Sequence, residues 1–238
     1  MERARRLVDE GVPVAPAVGR VVVRHELLGR LDRAERVAQV SGPAGSGKTV
    51  LLRSWLNAAG LGGRTAWVSV PEGERNPQRF WVAVADALRG TAPGAGVLRP
   101  LTAAPDLDGW AVVERLLADM SRLPKRIWLV IDDLHELAAE EARHQLELLI
   151  LRAPEKLRFV LAGRHELGLG LHRLRLEGAL TEIRGSELRM TLPEVRGLFA
   201  AADIAVPDAV LEALHERTEG WAAGLRLAAL SLAGHPDP

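Results

Sequence analysis

The chain has 238 residues, 47% of them hydrophobic, enough to build one large domain or one domain with a small appendage. Lysine plus arginine and aspartate plus glutamate both number 31, so no basic excess favours a nucleic-acid backbone. The absence of cysteine removes disulfides, zinc–thiolate sites and thiol nucleophiles, and no uncharged apolar run reaches a membrane-spanning or signal-peptide length, so a cytoplasmic protein without a membrane partner is expected.

In chain order, "ERVAQVS" (35–41) turns apolar and predicts a strand. It leads into the glycine loop "GPAGSGKT" (42–49), and "KTVLLRSWLNAAG" then repeats apolar residues at helical spacing until Gly60 can end it. "RTAWVSV" (64–70) predicts a short strand, residues 71–77 a polar turn, and "PQRFWVAVADALRG" (77–90) a helix opened by proline. A loop rich in Gly, Pro and Ala (91–105) separates it from a further helix over 107–123. "KRIWLVIDDL" (125–134) is a continuous apolar run ending in two aspartates, the pattern of a strand buried on both faces. A helix over 138–154, a strand over 157–163 and a shorter strand over 179–185 follow.

From about Glu187 only helices are predicted. "TLPE" (191–194) reads as a capping box, and helices over 207–220 and 220–234 follow, the second apolar on more than one side and so in need of a partner surface. Strands separated by helices imply right-handed crossovers and a parallel sheet with ligands at the carboxyl ends of its strands. The expected fold is α/β: a three-layer P-loop NTPase fold with a five-stranded, mostly parallel sheet over residues 1–186, and a small all-helical subdomain over 187–238.

The chemistry concentrates at two strand ends. A glycine loop opening a helix presents backbone N–H groups and a positive helix dipole to a phosphate chain. Gly42, Pro43, Ala44, Gly45, Ser46, Gly47, Lys48, Thr49 and Val50 are the expected nucleotide-binding stretch, with side chains at Gly45 or Gly47 obstructing the approach. Lys48 can reach the outer phosphates and Thr49 can give its hydroxyl to Mg²⁺. Asp132 is the expected acidic partner of that ion, and Asp133 points toward an attacking water. Arg164, at the end of the next strand, is a candidate cation for a γ-phosphate, although among 28 arginines an ordinary surface role has comparable weight. His135 is expected as a hydrogen-bonding neighbour of the Asp pair, and the six tryptophans as core or interface residues.

The residues "VVVRHELLGRLDRA", "GPAGSGKTVLLRSW", "NPQRFWVAVADAL", "LVIDDLHEL", "FVLAGRHELGLGLHRLRLEGALTEI" and "RTEGWAAGLRLAALSL" together resemble the MalT-like regulators of the STAND class of P-loop ATPases, also called large LuxR-type transcription regulators. The resemblance runs nearly the whole length. It implies that Asp132, Asp133 and Arg164 belong to the nucleotide site, that residues 1–34, around Val23 and Arg24, approach the adenine side, and that ATP and ADP set a switch between self-assembling and resting states. It also implies sensor and helix-turn-helix domains in a longer parent protein. The sequence departs from the family at Gly163, where relatives carry Ser or Thr, in the missing proline after Arg164, and at Val50, where many P-loops have a hydroxyl.

The expected function is a slow regulatory ATPase using ATP or ADP with Mg²⁺, with Lys48, Asp133 and Arg164 as catalytic candidates and Thr49 and Asp132 at the metal. The alternatives are an interaction module that holds ADP without turnover, and a phosphotransferase acting on a small metabolite with residues 91–105 as its lid. Direct DNA binding by this chain is not expected from its charge balance.

Overall fold

The computed structural model describes residues 22–101, 108–166 and 168–233. Most of the segment expected at the adenine side, residues 1–21, and part of the proposed lid, residues 102–107, lie outside the described residues. The elements in chain order are α1 (His25–Asp32), β1 (Val37–Ser41), α2 (Lys48–Ala58), β2 (Thr65–Ser69), α3 (Pro77–Arg89), α4 (Gly109–Met120), β3 (Ile127–Asp132), α5 (Glu140–Arg152), β4 (Leu157–Gly163), α6 (His172–Leu176), β5 (Leu180–Ile183), α7 (Leu192–Ala201), α8 (Asp208–Thr218) and α9 (Ala222–Ala233).

The five strands form one sheet in the order β2-β3-β4-β1-β5, and every pairing is parallel. Alternate side chains of each strand go to opposite layers. Ile127, Leu129 and Ile131 of β3 join Phe159 and Leu161 of β4 in a core covered by α3, α4 and α5. Trp128 and Val130 join Val160, Ala162, Ala38 and Val40 in a second core beneath α1 and α2. This division explains why β3 reads as a continuous apolar run up to Asp132: both of its faces are covered. It also establishes the three-layer α/β architecture expected from the sequence.

Local signals account for the helix ends. Asn76 caps α3 by accepting the Gln78 and Arg79 N–H groups, with Pro77 at the first helical position. Gly60, at φ 61, follows the end of α2 in the left-handed region that glycine enters at least cost. At α7 the Glu194 carboxylate accepts the Thr191 N–H at 2.8 Å, as the capping-box pattern anticipates.

After β5 the described chain is helical, and α7, α8 and α9 enclose their own cluster around Met190, Val195, Phe199, Leu211, Leu225 and Ala229. The expected division at 186/187 falls in the turn before α7, where Leu188 still packs in the α1–α2 layer and Met190 already belongs to the helical cluster. On α9, Leu225 and Ala229 face inward, whereas Leu227 and Leu230 are exposed.

The start of the proposed lid is pinned far from the glycine loop. Ala92 N–H bonds to the Gly63 carbonyl, just before β2 begins, and Leu98 is buried in the α3–α5 core. That places residues 91–98 at the amino-terminal edge of the sheet, the edge opposite the carboxyl ends where the glycine loop sits.

Candidate nucleotide site

Because β4 lies between β1 and β3, three strand ends stand side by side: Asp132 ends β3, Arg164 follows β4, and the glycine loop follows β1. Ser41 pairs with Gly163, and the Gly42 N–H bonds to the Gly163 carbonyl at 3.1 Å, fixing the loop's root to β4. The loop then turns through Gly45 (φ 73) and Gly47 (φ 87) into α2. Both dihedrals are in the left-handed region, so glycine at these two places is a backbone requirement as well as a clearance.

Lys48 is buried and donates its Nζ hydrogens to the carbonyls of Gly42 (2.7 Å) and Pro43 (2.9 Å). Burial holds its pKa below the ordinary 10.5, against the opposing pull of Asp132 and Asp133. Thr49 Oγ1 donates to Asp132 Oδ2 at 2.8 Å across 83 residues of sequence. The other Asp132 oxygen accepts the Asp133 N–H at 3.0 Å. Burial raises the Asp132 pKa above 3.8, with the Thr49 hydrogen bond acting the other way.

Asp133 adopts φ 55 and leaves its side chain half exposed, while Asp132 is almost fully buried. The two carboxylates are thus separated as the sequence suggested, one packed behind Thr49 and one on the cavity wall. His135 departs from expectation: its Nδ1 stands 4.0 Å from Asp133, beyond hydrogen-bond reach, and its Nε2 is 3.1 Å from Glu136 Oε1. The cause is the tight 3₁₀ turn over Leu134–Glu136, which carries the imidazole away from the Asp pair.

A cavity of about 460 Å³ opens over the loop. Ala44 to Thr49, Asp133 and Arg164 line it. Val22, Val50, Met190, Leu198, Ala222 and Ala223 add apolar lining, with Arg24 and Arg226 on the same walls. Gly42 and Pro43 stand outside this lining and serve through their carbonyls to Lys48. Val50, half exposed, adds apolar surface in place of a hydroxyl.

The helical subdomain touches the loop directly, a contact that local sequence patterns did not disclose. Ala223 N–H donates to the Gly45 carbonyl at 3.0 Å, and Trp221 Nε1 donates to the Ala44 carbonyl at 3.1 Å. A Cβ at Gly45 would lie 2.7 Å from Ala223 Cβ. The glycines at 220 and 224 around Trp221 were the available signal: Gly220 has φ 74, and its carbonyl accepts the Met190 N–H. Arg24 binds the other side of the subdomain through Glu194 (3.0 and 3.1 Å) and the carbonyls of Leu188 and Arg189. Of the six tryptophans, Trp55, Trp81 and Trp128 are buried, and Trp221 is the one at this contact.

The residues present fit a nucleotide phosphate chain with Mg²⁺. The glycine backbone and the start of α2 offer N–H donors on the cavity lining. A hydroxyl and a carboxylate already in mutual contact are the hard oxygen donors that Mg²⁺ accepts while keeping several waters. Among the described residues there is no cluster of three or more His, Cys, Asp or Glu side chains placed to hold a metal, and no helix long and apolar enough to cross a membrane.

Comparison with known proteins bears on the fold and the family. The chain is 30% identical over 217 residues to the HTH-type transcriptional regulator MalT of Cronobacter sakazakii, covering 88% of this chain and 24% of that protein. It is 29% identical over 225 residues to the serine/threonine-protein kinase PknK of Mycobacterium tuberculosis, covering 92% of this chain and 20% of that one. The chain therefore spans a quarter or less of these curated relatives. Among solved structures, Cdc6p of Pyrobaculum aerophilum matches with a TM-score of 0.61 at 20% identity, over 93% of this chain and 63% of that one. The Aeropyrum pernix ORC1 protein, solved in complex with DNA, matches at 0.57 and 24% identity, over 97% and 63%. These two likenesses establish a shared fold. The AAA domain model matches residues 31–168, from the end of α1 through β4, and the chain belongs to the AAA domain family.

Proposed function

We propose that the chain is a nucleotide-switched regulatory module that binds ATP or ADP with Mg²⁺ and hydrolyses ATP slowly. The observation that carries this is the contact between Thr49 and Asp132 at the mouth of the glycine loop, with Asp133 and Arg164 on the wall of the same cavity. When bound, Mg²⁺ supplies charge neutralisation at the outer phosphates.

The protein's own groups do the rest. The loop amides and the Lys48 ammonium hold the phosphate chain, the ammonium exchanging the Gly42 and Pro43 carbonyls for phosphate oxygens. Thr49 and Asp132 hold the ion. Asp133 orients water, and Arg164 distinguishes a terminal phosphate from its absence. The Ala223 and Trp221 contacts link loop geometry to the helical subdomain, so exchanging one nucleotide for the other shifts how that subdomain sits and whether the protein self-associates.

The named outputs of the two curated relatives differ, one a transcriptional regulator and one a kinase, which favours a shared switching module whose output lies in other segments. The same Ala223 and Trp221 contacts favour a second reading, a module that retains ADP and turns over little by itself.

Mass analysis of nucleotide released by denaturing the purified protein, combined with phosphate release from added ATP, tests both. Phosphate release that disappears in Lys48→Ala supports the ATPase. Retained ADP without phosphate release supports the holding module, and no nucleotide binding at all overturns both.

A further inference from the structure

Glu136 lies in the 3₁₀ turn after β3, and the phosphate chemistry above makes no use of it. Its carboxylate nevertheless joins its own turn to two distant pieces of chain. Oε2 accepts the Gly73 N–H at 3.1 Å, in the turn following β2. Oε1 stands 3.1 Å from His135 Nε2 and 3.8 Å from Arg164 Nη2. The Glu136 side chain is only 19% exposed, whereas Arg164 is 57% exposed on the cavity wall.

We propose that Glu136 is a positioning residue that holds Arg164 against the cavity, so that discrimination between ATP and ADP depends on it. A long, exposed arginine spreads over many rotamers and loses that freedom when it binds an anion. An anchor on one Nη narrows the range beforehand, and at 3.8 Å it leaves the other N–H donors of the guanidinium for phosphate oxygens. The anchor is itself fixed, because its second oxygen is bonded to backbone on a neighbouring turn. Competition between Glu136 and phosphate for the same guanidinium makes the opposite prediction, since removing Glu136 would then strengthen ATP binding. The inference rests on the nucleotide reading of the glycine loop.

The test is equilibrium titration with ATP·Mg²⁺ and ADP·Mg²⁺ of wild type, Glu136→Ala, Arg164→Ala and the double variant. Loss of a nearby negative charge acts on both nucleotides in the same direction, so the ATP/ADP affinity ratio isolates what Arg164 contributes at the terminal phosphate. Glu136→Ala is expected to lower that ratio about two- to fivefold, the range of a partly exposed ion pair, and to leave it nearly unchanged when Arg164 is already alanine. A ratio that stays constant or rises in Glu136→Ala overturns the proposal, as does an equal drop in the Arg164→Ala background. Should Glu136→Ala fail to fold, Glu136→Gln is measured in the same way, with a smaller fall expected and no fall counting against the proposal. Lys48→Ala separates the two levels of inference. If it binds both nucleotides like wild type, the nucleotide reading fails; if it loses them while Glu136→Ala keeps the wild-type ratio, only the role of Glu136 fails.

Discussion

Ala223 donates its amide hydrogen to the Gly45 carbonyl, so the first turn of α9 is hydrogen-bonded to the middle of the phosphate loop. The two residues also touch sterically, since a Cβ on Gly45 would stand 2.7 Å from that of Ala223. Gly45→Ala therefore meets two obstacles, a left-handed backbone at φ 73 and a collision with α9. We expect it to cost roughly 1–2 kcal/mol of stability, to weaken nucleotide binding, and to speed amide hydrogen exchange along 222–233. Exchange in α9 that matches wild type would show that the loop and this helix are not linked.

Trp221→Phe is the gentler version of that experiment. It keeps an aromatic ring on the loop and removes the indole N–H that reaches the Ala44 carbonyl at 3.1 Å. The expected loss is about 0.5–1.5 kcal/mol, read as a lowered urea midpoint and faster nucleotide release in stopped-flow displacement.

Arg24 and Glu194 give the protein an acid-sensitive tie. Burial by itself raises the Glu194 pKa, but the Arg24 hydrogen bonds and the Thr191 N–H outweigh it and bring the value below 4.5. A carboxyl with a depressed folded pKa contributes stability that is complete above its unfolded value and is lost as the pH falls through the folded one. Wild type should thus unfold at higher urea than Glu194→Gln at neutral pH, with the gap narrowing as the pH drops below 4.5. Denaturation midpoints of the two proteins across pH check this, and a gap that widens on acidification contradicts it.

Asp132→Asn can turn its oxygen to the Asp133 N–H and donate its NH₂ to the Thr49 oxygen, keeping both contacts while removing the charge that burial disfavours. Without Mg²⁺ it is expected to be at least as stable as wild type near neutral pH, because a raised folded pKa makes the ionised form a destabilising one there. The extra nucleotide affinity that Mg²⁺ provides should fall sharply. Calorimetry with ATP in Mg²⁺ and in EDTA measures that difference.

Asp133→Asn separates binding from turnover. Its carboxylate is on the cavity wall, and the backbone contact to Asp132 uses only its N–H. ATP affinity should change little while phosphate release falls about 10²- to 10⁴-fold, the range for losing a positioned base. Unchanged turnover would remove Asp133 from the reaction.

The sheet and the two ends of the phosphate site were legible because each is written in local sequence. Strand β3 announces burial on both faces, and the glycine loop states its own backbone geometry. The carboxyl-end rule for parallel sheets then brings Asp132 to Thr49 without any further information. What stayed hidden depends on surfaces meeting from far apart in the chain. The five residues of α6 are too few to show a helical period, and α1 follows Arg24, which supplies no side-chain cap to mark its start. The apolar faces of the segment after Trp221 signalled a partner surface, but not that the phosphate loop would be part of it. His135 was misplaced for a related reason: sequence adjacency to the Asp pair says nothing about a 3₁₀ turn that redirects the ring.

The strand order also governs when the site can come into being during synthesis. β1 bonds only to β4 and β5, and β3 only to β2 and β4. A nascent chain that has emerged as far as Arg152 already carries the glycine loop and both aspartates, yet it has no strand to join them. The arrival of Leu157–Gly163 joins β1 to the β2–β3 pair, so the complete phosphate site, and any stabilisation nucleotide gives through it, waits until β4 has been made.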